Sequence, residues 1–231
     1  MMMWALFIGT LVISLITAAR VKSNYFRFAR EPAASGLTGA EAAAEIMHAA
    51  GIHDVEIVAQ DGLLGDHYDP LHKRLVLSAD NYAGYSVAAL GVAAHEAGHA
   101  IQHAHAYAPL HLRMAAVGAA TFASQIVMWL PFLGMFTGLL STYTGLMVMA
   151  VGWGIIMAFN LITLPVEFDA SRRAKQMLLS MGLVSRGTEA EGVNKVLNAA
   201  AWTYVAAFLT SLVYFLWYLL PLLSGQRRDW A

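Results

Sequence analysis

Residues 114–164 read MAAVGAATFASQIVMWLPFLGMFTGLLSTYTGLMVMAVGWGIIMAFNLITL, and no Asp, Glu, Lys or Arg interrupts them. A helix needs about 20 predominantly apolar residues to cross the hydrocarbon core of a bilayer. The stretch is long enough for two such helices, at about Met114 to Leu140 and Ser141 to Leu164, with a short turn between them. It therefore predicts a tight transmembrane hairpin.

Two further apolar runs lie near the chain ends, at residues 1–19 and 199–223. The first run has no basic residue before it and is followed by Arg20 and Lys22, which favours an uncleaved anchor. A cleaved signal peptide ending at the small residues Thr17-Ala18-Ala19 is the alternative. With 58% hydrophobic and 13% charged residues, the chain is predicted to be a mainly α integral membrane protein with about four transmembrane helices.

Charge and cysteine content exclude several classes of function. A formal net charge of −1 gives no basic surface for nucleic acid, so we expect no nucleic-acid partner. The chain has no cysteine, which excludes disulfides, thiolate ligands and a cysteine nucleophile. A bound metal would therefore need His, Asp or Glu ligands.

The polar stretch after the first run carries signals for a helix and for strands. Thr38 and Glu41 form a capping box and Gly51 follows the last helical residue, which predicts a helix from Thr38 to Gly51. Two short β-rich runs follow, Val55–Val58 and Leu75–Ser78, and they predict a short β-hairpin or sheet edge. The edge of the strand Lys73–Ser78 either pairs with an extended substrate or is a plain structural edge.

The helix predicted from Tyr85 to about His103 contains His95-Glu96-Ala97-Gly98-His99, which fits H-E-x-x-H. Histidines four residues apart share one helix face about 6 Å apart along the axis, so both imidazoles can reach one zinc ion. Glu96 is then placed to accept a proton from zinc-bound water. The alternative is a chance match between two histidines with structural roles.

A catalytic zinc site of this type needs a third protein ligand. A metzincin arrangement fails, because Gln102 replaces the required turn glycine although His105 has the right spacing, and His103 lies too far along the helix. Glu167 follows the third apolar run and is a candidate, since the hairpin returns the chain to the same membrane face. Spacing alone leaves it either a ligand or an acid that interacts with a helix dipole.

Three segments carry a family resemblance: VAALGVAAHEAGHAIQH (87–103), DGLLGDHYDPLHKRLVLS (61–78) and LPVEFDASRRA (164–174). They resemble the YugP-type neutral zinc metallopeptidases, a family of predicted bacterial membrane proteases, and are more distantly similar to the heat-shock and CAAX-prenyl membrane zinc proteases. The resemblance implies a small α+β zincin-like catalytic part, one zinc per chain with Glu167 as third ligand, and a bacterial inner membrane location. The distant family places an Asp where this chain has Ser171, so Asp169 becomes the candidate second-layer acid.

The predicted function is a membrane-embedded zinc endopeptidase that acts on peptides or membrane proteins, with the lipid bilayer as its surroundings and Glu96 as general base. No sequence feature specifies an oligomeric state. The candidate oxyanion donors are Arg172, Arg173, His103 and Tyr82. His67 and Asp69, in the loop before the second β-rich run, either line the site or are structural.

The predicted organisation follows from these assignments. After the third run the sequence predicts a helix from Phe168 to Met181, ended by Gly182, and another that starts at Thr188 and continues into the fourth run. The predicted parts are an anchor (1–19), a catalytic part (20–113), a transmembrane hairpin (114–164), cytoplasmic helices carrying the third ligand (165–198), a last transmembrane helix (199–223) and a tail (224–231). Residues 20–113 and 165–198 hold twelve of the fourteen Lys and Arg, so the positive-inside rule places them in the cytoplasm. Arg227 and Arg228 in the tail are a mild exception.

Two other classes of function compete with a peptidase. One is a zinc-binding sensor or scaffold that catalyses nothing, for which Glu96→Gln would leave function intact. The other is a transporter or channel, but the three later apolar runs carry no ionisable residue in their interiors, as such a pathway usually requires.

Overall fold

The computed structural model describes residues 2–62, 65–139 and 142–224. The tail with Arg227 and Arg228, and the predicted division of the hairpin at Leu140 and Ser141, lie outside the described residues. The elements in chain order are α1 (Met2–Phe28), α2 (Gly39–Ala49), β1 (Glu56–Gln60), β2 (His67–Asp69), β3 (Arg74–Ser78), α3 (Ala79–Tyr82), α4 (Val87–Ala104), α5 (Ala108–Thr137), α6 (Tyr143–Ser180) and α7 (Thr188–Ser224).

The fold is mainly helical with one small sheet. Among the described residues, four helices, α1, α5, α6 and α7, are long and apolar enough to cross a membrane. The predictions of a mainly α chain and of about four candidate spans are therefore confirmed.

The chain divides into two compact units, of which the first contains the described residues of 1–14, 112–164 and 204–231. In this unit the ring of Trp153 on α6 stacks on that of Tyr214 on α7, with centroids 4.6 Å apart. The Asn160 amide donates to the carbonyl of Ala207 at 3.2 Å and to the Ser211 hydroxyl at 3.1 Å. Polar side chains between apolar helices hold such helices in register.

The second unit contains residues 15–111 and 165–203, apart from Leu63 and Leu64, and begins its globular part with α2. The Thr38 hydroxyl accepts from the backbone N–H of Glu41, and the Glu41 carboxylate accepts from that of Thr38. Gly51 follows the helix with a φ of +73°, a conformation that costs glycine little. The predicted capping box and helix end are confirmed.

The sheet differs from the predicted hairpin. Its strand order is β1-β3-β2, in which β1 and β3 are parallel while β2 and β3 are antiparallel. The two runs predicted to pair as a hairpin therefore lie parallel, and the antiparallel partner of β3 is the three-residue strand His67–Asp69. The prediction missed β2 because three residues are too few to show an alternating pattern.

The central position of β3 also corrects the prediction that Lys73–Ser78 offers an edge. Residues Arg74–Ser78 pair with β1, and Arg74–Val76 pair with β2 on the other side. Leu75 and Leu77 are fully buried in the core of the unit. Over Arg74–Val76, β3 is therefore the central strand of the sheet, with β1 and β2 outside it.

The helix starts predicted at Tyr85 and Phe168 both differ from the structure. Helix α4 begins at Val87 rather than Tyr85, since the Ser86 hydroxyl accepts from the N–H of Ala89 and so caps the helix. Helix α6 is continuous from Tyr143, so no separate helix begins at Phe168, and Pro165 lies inside it. A helix that leaves an apolar environment keeps its backbone groups satisfied by continuing, and prolines are tolerated in such helices.

Helices α4 and α6 approach each other closely at Gly98. A Cβ added there would lie 2.7 Å from the carbonyl oxygen and 3.2 Å from the Cα of Ala170 on α6. Both neighbours are backbone atoms, which cannot rotate away as a side chain can. Gly98 therefore permits the contact that brings the start of the polar part of α6 against α4.

We predict that Gly98→Ala destabilises the chain. Overpacking a well-packed contact usually costs about 1–3 kcal/mol, and the gain in helix propensity, up to about 1 kcal/mol, offsets only part of that cost. The control is Gly91→Ala on the same helix, where an added Cβ meets only Val193 at an ordinary 3.7 Å. Thermal unfolding of both variants in detergent measures the difference. Equal melting temperatures for the two variants would show that the close approach does not limit stability.

Candidate metal centre

Helix α4 presents His95 and His99 on one face. They are one helical turn apart, and their ring centroids are separated by 4.8 Å at an interplanar angle of 81°. His99 is buried and His95 is partly exposed. Access to the pair is therefore from the side of His95.

Glu167 on α6 completes a group of three. Its Oε2 lies 3.3 Å from Nε2 of His95 and 3.6 Å from Nε2 of His99, and only 2% of Glu167 is exposed. One ligand atom from each of the three residues lies within 4.8 Å of the others. The structure thus brings together the three residues that the sequence analysis proposed as metal ligands.

The three side chains fit a zinc ion on chemical grounds. Two imidazole nitrogens and one carboxylate oxygen are a known donor set for catalytic zinc. Ligand atoms about 2.0–2.1 Å from a tetrahedral ion are separated by about 3.4 Å, close to the two distances that Glu167 makes here. A buried carboxylate also needs a compensating positive charge or hydrogen bonds. The site is therefore suited to a divalent cation.

The other ring nitrogen of each histidine has its own partner. Nδ1 of His95 lies 3.2 Å from the Ser171 hydroxyl, and Nδ1 of His99 lies 3.0 Å from Oε1 of Gln102. Ser171 therefore places a hydroxyl, not a carboxylate, beside His95.

Gln102 was not among the predicted site residues. Its side chain is fully buried, and its Nε2 donates to the carbonyl of Val166 at 2.8 Å and to Oδ2 of Asp169 at 2.9 Å. The sequence offered one signal, a polar residue three positions after His99 and so next to the metal-binding face of the helix. Without the position of α6, that signal does not distinguish a structural glutamine from one that supports the site.

The predicted acid Asp169 lies in this network, and two candidate oxyanion donors pair with it. Asp169 accepts from Nε of Arg173 at 2.6 Å and from Nη2 of Arg172. The guanidinium of Arg173 also lies over the ring of Tyr107, 6.0 Å from its centroid. Both arginines therefore neutralise a buried carboxylate in the structure.

Glu96 is buried, with 8% of its surface exposed, and its charge acts on His99. Burial lowers the pKa of His99, whereas the hydrogen bond and charge of Glu167, followed by the charge of Glu96, raise it, and the net shift is upward. The surroundings of His99 are therefore electrostatically negative.

His103 lies one turn beyond His99 and contacts β2. Its Nδ1 is 2.9 Å from the hydroxyl of Tyr68, and its ring centroid is 5.9 Å from that of His111. Burial and the charges of His111 and Lys73 lower the pKa of His103. Burial, followed by the charges of Asp54 and Asp69, raises the pKa of Tyr68 to about 12, so this pair is neutral near pH 7.

The remaining candidates have roles in the surrounding fold. Tyr82 packs against the hydrophobic core of the second unit. Nδ1 of His67 lies 2.8 Å from the carbonyl of Gly65, and Asp69 accepts from the N–H groups of Leu71 and His72. Asp69 therefore stabilises the turn between β2 and β3.

Comparison with known proteins shows the family to which the chain belongs. A family model described as "Putative neutral zinc metallopeptidase" matches residues 3–223. The chain is 42% identical over 227 residues to the "Putative membrane protease YugP" of Bacillus subtilis (strain 168). The aligned region covers 96% of this chain and 97% of that protein. No solved structure matches the chain. The protein belongs to the neutral zinc metallopeptidase family represented by that model.

Proposed function

We propose that the chain is a multi-pass membrane zinc endopeptidase of the H-E-x-x-H type, with a zincin-like catalytic part and one zinc ion per chain. The observation that carries the proposal is the meeting of His95 and His99 with the buried carboxylate of Glu167 at 3.3 and 3.6 Å. The two histidines come from one helix and Glu167 from another, so the fold has to assemble the set.

His95, His99 and Glu167 would hold the zinc. When bound, zinc supplies a Lewis acid that polarises the scissile carbonyl and lowers the pKa of a water molecule to about 7. The partners of the two Nδ1 atoms hold the imidazole rings in place, so that both Nε2 atoms lie beside Oε2 of Glu167.

Glu96 is the proposed general base. It follows His95 directly and is largely shielded from solvent, so bulk water has little access to its carboxylate oxygens. It would accept a proton from the attacking water and deliver it to the nitrogen of the leaving amine. General acid–base catalysis of this kind contributes typically about 10²–10⁴-fold to the rate.

Of the candidate oxyanion donors, His103 is favoured by its contacts over Arg172 and Arg173. Both arginines pair with Asp169, whereas His103 commits only Nδ1 to Tyr68. Its Nε2 then remains for a substrate oxygen. Tyr82, which packs on the core, is the weaker alternative.

The proposed location is the bacterial inner membrane, with residues 20–113 and 165–198 on the cytoplasmic side. The charge distribution supports this orientation, because those ranges hold most of the Lys and Arg. The substrate would be a peptide segment or a membrane protein reached from the cytoplasm.

We predict that Glu96→Gln keeps zinc and loses hydrolysis by about 10²–10⁴-fold, because the amide cannot accept the proton. Glu167→Gln, which has nearly the same volume, should lose zinc on dialysis against a chelator that wild type resists. Purified protein in detergent is assayed for zinc content and for cleavage of casein. The matched control is Glu45→Gln, an exposed glutamate on α2, which should leave both quantities unchanged.

Cleavage by Glu96→Gln at the wild-type rate would contradict the assignment of the base. Zinc binding without cleavage by wild type would instead favour a zinc-binding sensor or scaffold. Retention of zinc by Glu167→Gln at wild-type affinity would show that a different group is the third ligand.

The absence of native cysteine allows a direct test of orientation. Single cysteines are introduced at the exposed positions Glu45, Arg186 and Thr142. In intact spheroplasts a membrane-impermeant maleimide should label Thr142→Cys, whereas Glu45→Cys and Arg186→Cys should be labelled only after lysis. The reverse pattern would place the proposed active site outside the cytoplasm.

A further inference from the structure

We infer that Gln102 is a positioning residue that connects the carboxylate of Asp169 to His99 and fixes which ring nitrogen of His99 faces the metal. The inference rests on the proposed zinc site. It concerns a residue that the motif does not include and that touches neither the zinc ligand atoms nor the substrate.

The orientation of the Gln102 amide follows from its two neighbours on α6. The carbonyl of Val166 and the carboxylate of Asp169 lie 2.8 and 2.9 Å from one end of the amide. A carbonyl and an ionised carboxylate can only accept hydrogen bonds. The NH₂ group of Gln102 must therefore face them, and its Oε1 must face His99.

The ionised state of Asp169 is secured by its other partners. Arg172 and Arg173 both donate to it, and guanidinium groups stay protonated throughout the ordinary pH range. Gln102 is fully buried and Asp169 is 5% exposed, so water does not replace these bonds readily. The reversed amide would set Oε1 against two acceptors.

The amide orientation determines the tautomer of His99. Because Oε1 of Gln102 accepts, Nδ1 of His99 must carry the hydrogen that it donates at 3.0 Å. A neutral imidazole with its hydrogen on Nδ1 has its lone pair on Nε2. Nε2 is the atom that lies 3.6 Å from Glu167, so the network prepares His99 as a ligand.

The two histidines are held differently. The partner of His95 is the hydroxyl of Ser171, which can either donate or accept and so accommodates both tautomers. Of the two histidines, only His99 has a partner, Gln102, whose donor and acceptor ends are fixed by other groups, Val166 and Asp169. Removal of the Gln102 amide should therefore affect His99 more than removal of the Ser171 hydroxyl affects His95.

The first test is zinc affinity, measured by competition with a chelating dye in detergent. Gln102→Met keeps the length of the side chain but removes the acceptor and the donors, and we expect an increase in Kd of about 10–100-fold, the usual cost of losing such a partner. Ser171→Ala should raise Kd less. The matched control is Asn81→Leu, a fully buried and hydrogen-bonded amide that bonds Tyr25 and Asp66 instead. It should lower the melting temperature and leave the Kd of the folded fraction unchanged.

The second test distinguishes positioning from packing. ¹⁵N NMR of histidine-labelled protein, with His99 assigned from a His99→Asn variant, should show a protonated Nδ1 and an unprotonated Nε2 in wild type with zinc. Without metal, the same pattern should appear at an alkaline pH at which the ¹⁵N shifts themselves show that the His99 ring is neutral. In Gln102→Met the Nδ1–H resonance should exchange faster with water.

A rescue experiment tests the connection to Asp169. Gln102→Glu retains an acceptor for His99 but sets a second carboxylate against Asp169, so zinc affinity should fall. Adding Asp169→Asn supplies an amide donor to the new glutamate and should recover part of the affinity, a coupling that independent sites would not show.

The outcomes separate this inference from the proposed function. If wild type binds no zinc, the zinc site fails, while the metal-free NMR experiment still tests the network. If wild type binds zinc and Gln102→Met binds it within twofold, or if His99 carries its hydrogen on Nε2, the positioning role is wrong. Should Gln102→Met not fold, the NMR spectrum of wild type and the double variant decide the question.

Discussion

The buried carboxylate of Glu167 is the constraint on which the rest of the second unit depends. An ionised carboxylate taken out of water costs several kcal/mol unless it is paired and hydrogen-bonded. Here the imidazoles of His95 and His99 on α4 lie beside Oε2. A cation held between these three side chains would compensate the buried negative charge.

The close packing of α4 on α6 satisfies that constraint. Ala170 and Ser171 follow Glu167 by three and four residues, and Ala174 follows Ala170 by four, so these buried residues share one face of α6. Ala170 and Ala174 are small, and Gly98 opposite Ala170 has no side chain, so the backbones approach without displacing the polar residues between them. Gln102 then bonds the carbonyl of Val166, which ties α4 to α6 at the residue before Glu167. Small residues set the distance between the helices, and polar residues set their register.

How much the sequence could predict depended on how far apart the interacting residues lie. His95, Glu96 and His99 fall within five residues on one helix, and helical geometry alone relates them. The capping box of Thr38 and Glu41 is local in the same way. Glu167 is 72 residues from His95, so spacing alone left its role as a ligand open. The family resemblance was what favoured that role.

The errors had the same origin. The parallel pairing of β1 with β3 depends on β2, a strand too short to recognise, and on a chain path that no local pattern specifies. Gln102 was overlooked because two of its three partners lie 64 and 67 residues away, and only the position of α6 reveals those two.

The arginines of α6 show how the network limits which residues could serve the proposed reaction. Breaking a buried ion pair costs about 3–5 kcal/mol, and an oxyanion donor contributes about 2.7–4 kcal/mol to a reaction. Arg173 is mostly buried beside Asp169, so moving it to a substrate would gain nothing overall. Arg172 has 66% of its side chain exposed and is held more loosely, so its departure would cost less. Arg173 is thus committed to Asp169, and through Gln102 to His99, while Arg172 is the one basic group of the pair that the site can release.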